Sequence, residues 1–581
     1  MKTLIVLATS LFASSVLLES CNTEEKIEAV VVASPKTFCN PLNLDYRFMV
    51  IDGGEGIREA ADPVVVSYKG NYLLFASKSS GYWYSKDFRE WTHVVIPDSV
   101  LPIEDYAPAI LVHDDYVYYV GSTRGKGMLY RSNKPEAGEW EKVKEIESNW
   151  DPALYLEGDS LYVYYGSSPS DPIRANIIDW NTLDVKKRAI DCLDSDIAHH
   201  GWERPGALNE LNRRPYIEGA WMTVHNGKYY LQYAGPGTEW DTYADGVYVG
   251  DSPAGPFRYA ENNPVSYKPS GFIGGAGHGC LFATADGQWW KAATNSISVR
   301  HMFERRLSFY PSGFDADGYL YTDTYLGDYP MFLPGSTEAK GKKSPEWMLL
   351  SYHKPVMASS ALEEYPVSNI TDEQVRTAWV AQSNKPDEWV QIDMQDRQSV
   401  YAIQVNYDEY GVVQKGMNGR LYQSYVLEAS NDGKQWYVIA DRSQKKTDLP
   451  HDYIEFEKPF KARYIRWKNK EYNLSANVSL REIRVFGKGS GTVPAEPVSL
   501  LVERNADDGC KAVVSWKGAD NADGYVIRYG IAKDKQYSSI QVMGKTKYEL
   551  TGLNAGQTYY VSVDAYNAAG LTKGTEVKTL N

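Results

Sequence analysis

The chain has 581 residues, more than one hydrophobic core normally serves, so three or four domains are expected. Its 45 Tyr, 16 Trp, 47 Gly and 28 Pro favour many brief strands joined by tight turns, while long amphipathic helical patterns are scarce. A formal net charge of -14 opposes phosphate backbones and anionic lipid surfaces, which argues against nucleic acid as a ligand and leaves neutral polymers unpenalised. Beyond Cys21, the cysteines at Cys39, Cys192, Cys280 and Cys510 are too few and scattered for a disulfide framework or a zinc site, and read as packed thiols.

At the N-terminus Lys2 precedes an apolar stretch from Leu4 to Leu18, too short to cross a bilayer and of the length of a signal-peptide core. The tetrad Leu18-Glu19-Ser20-Cys21 resembles a bacterial lipobox, and Glu24 and Glu25 behind it resemble the acidic tether of Bacteroidetes surface lipoproteins. The resemblance implies a signal peptide over residues 1–20, acylation of Cys21, a tether over 21–43, and an outer-membrane lipoprotein held to the cell envelope by its lipid. An ordinary secretory signal with an incidental cysteine is the competing reading.

From Asp62 onward one unit recurs: a hydrophobic run, a Gly/Asp turn and an aromatic run. The five copies are ADPVVVSYKGNYLLFAS, YAPAILVHDDYVYYVGS, WDPALYLEGDSLYVYYGS, IEGAWMTVHNGKYYLQYAG and GHGCLFATADGQWWKAAT. Aligned on Asp62-Pro63, Ala107-Pro108, Asp151-Pro152, Glu218-Gly219 and Gly277-His278, successive copies lie 45, 44, 67 and 59 residues apart, room for about four strands each. The fold class is therefore all-β, with a five-bladed β-propeller over 44–345. Inner strands of a propeller line its axis, so residues at their starts meet at one mouth of the channel. Asp62, Asp151 and Glu218 share that position and are expected to converge.

Converging carboxylates suit the cleavage of a glycosidic bond. One must protonate the leaving oxygen, and another must activate water or attack carbon. A third nearby raises the proton affinity of the acid by like charge. An Asp before Pro more often starts a turn or strand, and Asp105, Asp159 and Asp245 read that way. The shared register of separate blades distinguishes Asp62, Asp151 and Glu218 from such starters.

Two further modules follow near Ser344. Trp389 to Asp393, Leu427 to Gly433 with Trp436, Ala462 to Trp467 and Ile483 to Gly487 resemble the discoidin, or coagulation factor 5/8 type C, jelly roll, assigned to 346–488 as a carbohydrate-binding module, with a spacer as the alternative. Residues 489–497 form a Gly/Ser/Pro/Thr linker. Residues 498–581 resemble a fibronectin type III domain, with Trp516 in its strand context and Tyr559 at the tyrosine-corner position of a β-sandwich.

Over roughly residues 44–335 the acids and their order resemble glycoside hydrolase family 43. The resemblance implies an inverting mechanism in which Asp62 is the general base, Asp151 in Asn149-Trp150-Asp151-Pro152-Ala153 tunes and orients the acid, and Glu218 in Glu218-Gly219-Ala220 is the general acid. Tyr84 to Trp91 and Ser252 to Phe257 look like two turns of that family. His278 matches a family histidine on the channel axis that contacts a calcium ion or its waters; no cofactor is required, a structural calcium is the one metal raised, and a hydrogen-bonded channel histidine is the alternative. Arg305 stands at the spacing of a family arginine that contacts sugar hydroxyls, with Arg306 as competitor and a surface ion pair as the other option for either. Tyr106, Trp150 and Trp221, beside the acids, are candidates to stack on a sugar ring.

The expected partner is a polysaccharide or oligosaccharide, cleaved by an exo-acting enzyme. An α-L-arabinofuranosidase is favoured over a β-xylosidase or a β-galactofuranosidase or galactan-acting enzyme, with specificity expected in loops such as 194–215 and 320–334. A surface glycan-binding lipoprotein without activity is the reading from another class, and an adhesion protein led by the C-terminal modules is a third.

Overall fold

The computed structural model describes residues 30–50, 56–103, 106–413, 422–474 and 476–581. Cys21 and the signal segment lie outside the described residues, as does Asp105. The described chain is built of strands, with three short 3-10 turns at Pro135–Ala137, Gly201–Glu203 and Val367–Ile370.

Five antiparallel sheets form the propeller. The first blade is Ala61–Tyr68, Asn71–Ser77, Gly81–Ser85 and Thr92–Val95; the second is Ala109–His113, Tyr116–Val120, Lys126–Lys134 and Glu139–Glu147. The third is Ala153–Glu157, Ser160–Tyr165, Ile173–Asp179 and Val185–Leu193, and the fourth Glu218–His225, Lys228–Gly235, Ala244–Gly250 and Phe257–Tyr259. In the fifth, Gly274–Gly277 and Leu281–Ala283 together make the inner strand, followed by Trp289–Ser296, Arg305–Phe314 and Leu320–Thr322.

Turn chemistry sets the register. Lys69-Gly70 and Asn226-Gly227 carry positive φ at both residues, 46° and 82° in one and 48° and 73° in the other, the geometry of two-residue turns whose twist matches antiparallel strands. They pair Tyr68 with Asn71 and His225 with Lys228. The first inner strand, Ala61–Tyr68, is buried nearly throughout, whereas the outermost strand of the second blade, Glu139–Glu147, is charged and mostly exposed. Every blade is made of consecutive strands, and side chains close the ring between the fifth and the first: the Val65 N–H donates to Cys280 Sγ at 3.0 Å, and the Asp62 N–H to Thr294 Oγ1 at 2.8 Å.

The jelly roll is an eight-stranded sheet organised on the long strands Trp389–Tyr407 and His451–Tyr472. The last domain is a sandwich of three and five strands in which the Asn554 N–H donates to the Tyr559 hydroxyl at 3.0 Å, a tyrosine corner.

Three sequence expectations change here. The described part of the 21–43 segment is no free tether: Val32 bridges Phe456, Thr37–Phe38 pairs with Met331–Phe332, and the Thr37 hydroxyl donates to Glu455 at 2.7 Å. Linker residues are bonded as well, with Gly489 N–H on Ala568 O and Ser490 N–H on Gln398 Oε1. The loops expected to shape the pocket instead dock the C-terminal domains. In 194–215 the Gly201 N–H donates to Leu553 O at 2.9 Å and Arg204 pairs with Asp508 at 2.6 Å, while in 320–334 the Tyr325 hydroxyl donates to Asp564 at 2.7 Å. Extra residues between blades lie at the propeller rim, where neighbouring domains pack.

Candidate active site

Each inner strand bends where it meets the mouth. Asp62, Ala107, Asp151 and His278 lie in the left-handed region with φ of 55°, 46°, 48° and 31°, and Gly219, next to Glu218, has φ of 62°. Such φ values are uncommon for residues other than glycine and cluster at functional sites. Pairing also slips between Ala61 and Val64, between Glu218 and Trp221, and between Gly274 and Gly277. Bulges of this kind re-aim side chains, here from the blade plane into the mouth. Position 219 requires glycine, because a Cβ there would lie 2.5 Å from the His278 ring.

A hydroxyl near the end of the second strand in four blades ties the mouth together. Ser77 Oγ donates to Asp62 Oδ2 and accepts the Ala107 N–H at 2.6 Å. Ser122 Oγ accepts the Asp151 N–H at 2.8 Å, and Ser167 Oγ donates to Glu218 Oε2 at 2.9 Å. Thr294 closes the circle on Asp62. These residues end the FAS, VGS, YGS and AAT runs of the repeat, so their signal was in the sequence, but no motif there marks a hydroxyl that bonds a carboxylate. In the fourth blade Asp245 takes over, accepting the His278 N–H at 2.8 Å and pairing with Lys291.

The three acids line one cavity of about 160 Å³ with His278, Arg305, Tyr106, Trp150, Ser167, Thr238 and Phe303. Glu218 Oε1 accepts the Tyr243 hydroxyl at 2.6 Å, and Tyr243, buried beside that carboxyl, keeps its proton well above the usual phenol range. His278 Nδ1 stands 3.1 Å from Asp62 Oδ1 and 3.8 Å from Asp151 Oδ2. Arg305 Nη1 lies 3.8 Å from Asp62 Oδ1, and its Nη2 is 2.6 Å from Glu59 Oε1. Burial pushes the Asp151 carboxyl up to about 8, opposed by the His278 charge and reinforced by the like charges of Glu218 and Asp62. Burial opposes protonation of His278, yet Asp62, Asp151, Glu218 and Asp245 outweigh it and hold its pKa above the ordinary value. The pocket therefore stores a proton among acids that burial would otherwise make costly to ionise.

Other candidates separate. Trp150 is 40% exposed at the rim, and Tyr106 lies against Phe303 with ring centroids 5.7 Å apart. Trp221 is not a pocket residue: three positions past Glu218, about 10 Å deeper along a strand, it packs against clusters from the first, second, fourth and fifth blades and donates to Leu281 O. Arg305 faces the pocket while Arg306 points to the jelly roll, and neither is a surface pair, at 3% and 0% exposure. Phe303, Thr238, Glu59 and Tyr243 carry no motif of their own. A calcium ion takes six to eight oxygens; His278 Nδ1 stands against the Asp62 and Asp151 carboxylates, and among the described residues no group of three or more His, Cys, Asp or Glu is arranged to hold a metal directly.

Comparison with known proteins agrees with this layout. The model for Glycosyl hydrolases family 43 matches residues 57–320, that for the F5/8 type C domain 355–483, and that for the Fibronectin type III domain 496–579. A Xylosidase/arabinosidase of Bacteroides ovatus is 31% identical over 144 residues, which is 25% of this chain and 35% of that protein. Xylosidase/arabinosidase 43A of Humicola insolens is 27% identical over 272 residues, 39% of this chain and 79% of that one. Mouse lactadherin is 34% identical over 119 residues, covering 18% of this chain and 24% of its own length, so the chain spans about a quarter of that relative. A solved structure described as a glycoside hydrolase superposes with a TM-score of 0.44 and 17% identity, covering 76% of this chain and 100% of that one. Residues 57–320 thus match glycoside hydrolase family 43, with an F5/8 type C domain and a fibronectin type III domain behind the propeller.

Proposed function

We propose that the chain is an exo-acting, inverting glycoside hydrolase that removes terminal sugars from polysaccharide side chains, with α-L-arabinofuranosides as the favoured substrates. The observation that carries this reading is the meeting of Asp62, Asp151 and Glu218 with Arg305 and His278 around one small cavity. At about 160 Å³ it falls below the several hundred Å³ of a typical ligand pocket, which favours a single sugar ring over an internal stretch of polymer. Glu218, aimed by Tyr243 and Ser167, gives its proton to the leaving glycosidic oxygen. Asp62, fixed by Ser77, takes a proton from the attacking water. Asp151 keeps the acid pair charged with a proton, and Trp150 offers an aromatic face to the ring.

The arabinosidase and xylosidase names of two relatives support the sugar class. Purified protein incubated with aryl α-L-arabinofuranoside, β-D-xylopyranoside and β-D-galactofuranoside is expected to release aglycone fastest from the first, and NMR of the newly formed sugar to show the inverted anomer first. Retention of configuration would overturn the roles of Asp62 and Glu218, and hydrolysis of none of the three would favour the glycan-binding alternative.

We also propose that Cys21 is acylated and anchors the protein in the outer membrane. Cells fed labelled palmitate should label the wild-type chain and release an unlabelled Cys21→Ala chain into the soluble fraction; equal labelling of both would remove the anchor.

A further inference from the structure

The wall of the pocket is held from another domain. Arg305 faces the cavity with Glu59 bonded behind it, and their sequence neighbours Arg306 and Arg58 point the opposite way because successive residues of a strand alternate faces. Both guanidinium groups end on one oxygen of the jelly roll: Glu409 Oε1 is 3.0 Å from Arg58 Nε and 3.0 Å from Arg306 Nη2. Glu409 Oε2 lies 3.3 Å from Arg481 Nη2, which is also 2.7 Å from Glu304 Oε1. Glu304 stands in sequence between the pocket residues Phe303 and Arg305. Its second oxygen accepts the N–H groups of Val299 and Arg300 at 3.0 and 2.9 Å, so it organises the turn that delivers both residues. Arg58, Arg306, Arg481, Glu304 and Glu409 are all 2% exposed or less.

We propose that Glu409 is a positioning residue for the pocket, through which the F5/8 type C domain holds the Glu59–Arg305 pair beside Asp62. One carboxylate faces three guanidinium groups away from water; Arg58 also pairs with Asp448 and Arg481 with Glu304 and Asp408, so losing the Glu409 charge strips the ion-pair partner from Arg306, the neighbour of Arg305. Those cations are one bond away from the residues that shape the cavity, since Arg306 Nη1 also donates to the Arg58 and Arg305 carbonyls at 2.8 and 3.0 Å. The jelly roll is in this respect a component of the active-site wall.

The inference rests on the glycosidase reading for its kinetic test, and a structural test stands apart from it. In the full chain, Glu409→Gln is expected to lower kcat/KM about 10- to 100-fold on the aryl glycoside that wild type hydrolyses, because small misplacements of pocket groups cost that much. Added to Glu59→Gln it should cost little more, because both act through Arg305. A purely structural role would lower Tm and make the two losses multiply. A crystal structure of Glu409→Gln should show the Arg305 guanidinium displaced from Glu59. Wild-type turnover with Arg305 in place, or multiplicative losses, would overturn the proposal. If wild type cleaves no glycoside the functional reading fails, and the crystal structure alone decides on Glu409. Should Glu409→Gln fail to fold, Arg306→Lys, which keeps the charge but loses the planar fork, is expected to give the same displacement and a smaller loss; Arg305 left in place would overturn the proposal.

Discussion

Replacing Glu218 by glutamine is expected to lower kcat about a thousandfold or more, with Tm unchanged. Positioned general acids contribute roughly 10²- to 10⁴-fold, and the loss should depend on the leaving group. An amide keeps the shape of the carboxyl and can still bond the Tyr243 and Ser167 hydroxyls, so folding has no reason to suffer. It cannot supply a proton. A dinitrophenyl glycoside, whose aglycone leaves as a stable anion, should therefore retain much of its rate, whereas a glycoside of a sugar alcohol should lose nearly all. Asp62→Asn should instead depress both substrates equally, because water still needs its proton removed whatever departs. Equal losses for both leaving groups in Glu218→Gln would reassign the acid.

Asp151→Asn is expected to impair turnover and strengthen the fold. The Asp151 carboxyl is pushed up to about 8 from an ordinary 3.8, first by burial. The sign follows from linkage. The folded chain holds a proton that the unfolded chain has released, so stability from this group is full below the ordinary value and drains away as pH rises through about 8. Each unit of that interval is worth about 1.4 kcal/mol, and an amide escapes the whole cost. The Tm advantage of Asp151→Asn should therefore be near zero at pH 4 and reach several degrees at pH 8. His278 keeps Asp62 as a partner, 3.1 Å away, so the substitution does not strand it. Catalysis should move the other way. Without a negative neighbour the cluster gives up its last proton at lower pH, so the alkaline limb of the rate profile is expected to shift down by about one unit or more, and kcat at the optimum to fall about 10- to 100-fold. An unchanged alkaline limb would show that Asp151 does not tune the acid.

The sequence alone determined the blade count, the two modules behind the propeller and the register of the three acids, because each is written in local pattern: period-two hydrophobicity, Gly-containing turns and a carboxylate at a repeated place. Even the hydroxyls that bind those acids were visible at the ends of the second strands, although nothing local distinguishes a serine that packs from one that bonds a carboxylate on another strand. What tertiary structure decided was direction. Trp221 and Trp150 both stand within three positions of an acid in sequence, yet a bulge and three steps of strand send one into the blade core and leave the other at the rim. Arg305 and Arg306 are adjacent, and the alternation of a strand gives one to the pocket and the other to a different domain. The loops at 194–215 and 320–334 have pocket-like lengths but serve as docking surfaces. Long-range contacts such as Glu409 on Arg58 and Arg306 join residues more than a hundred positions apart, and no periodicity records them, because they depend on how separately folded units are packed.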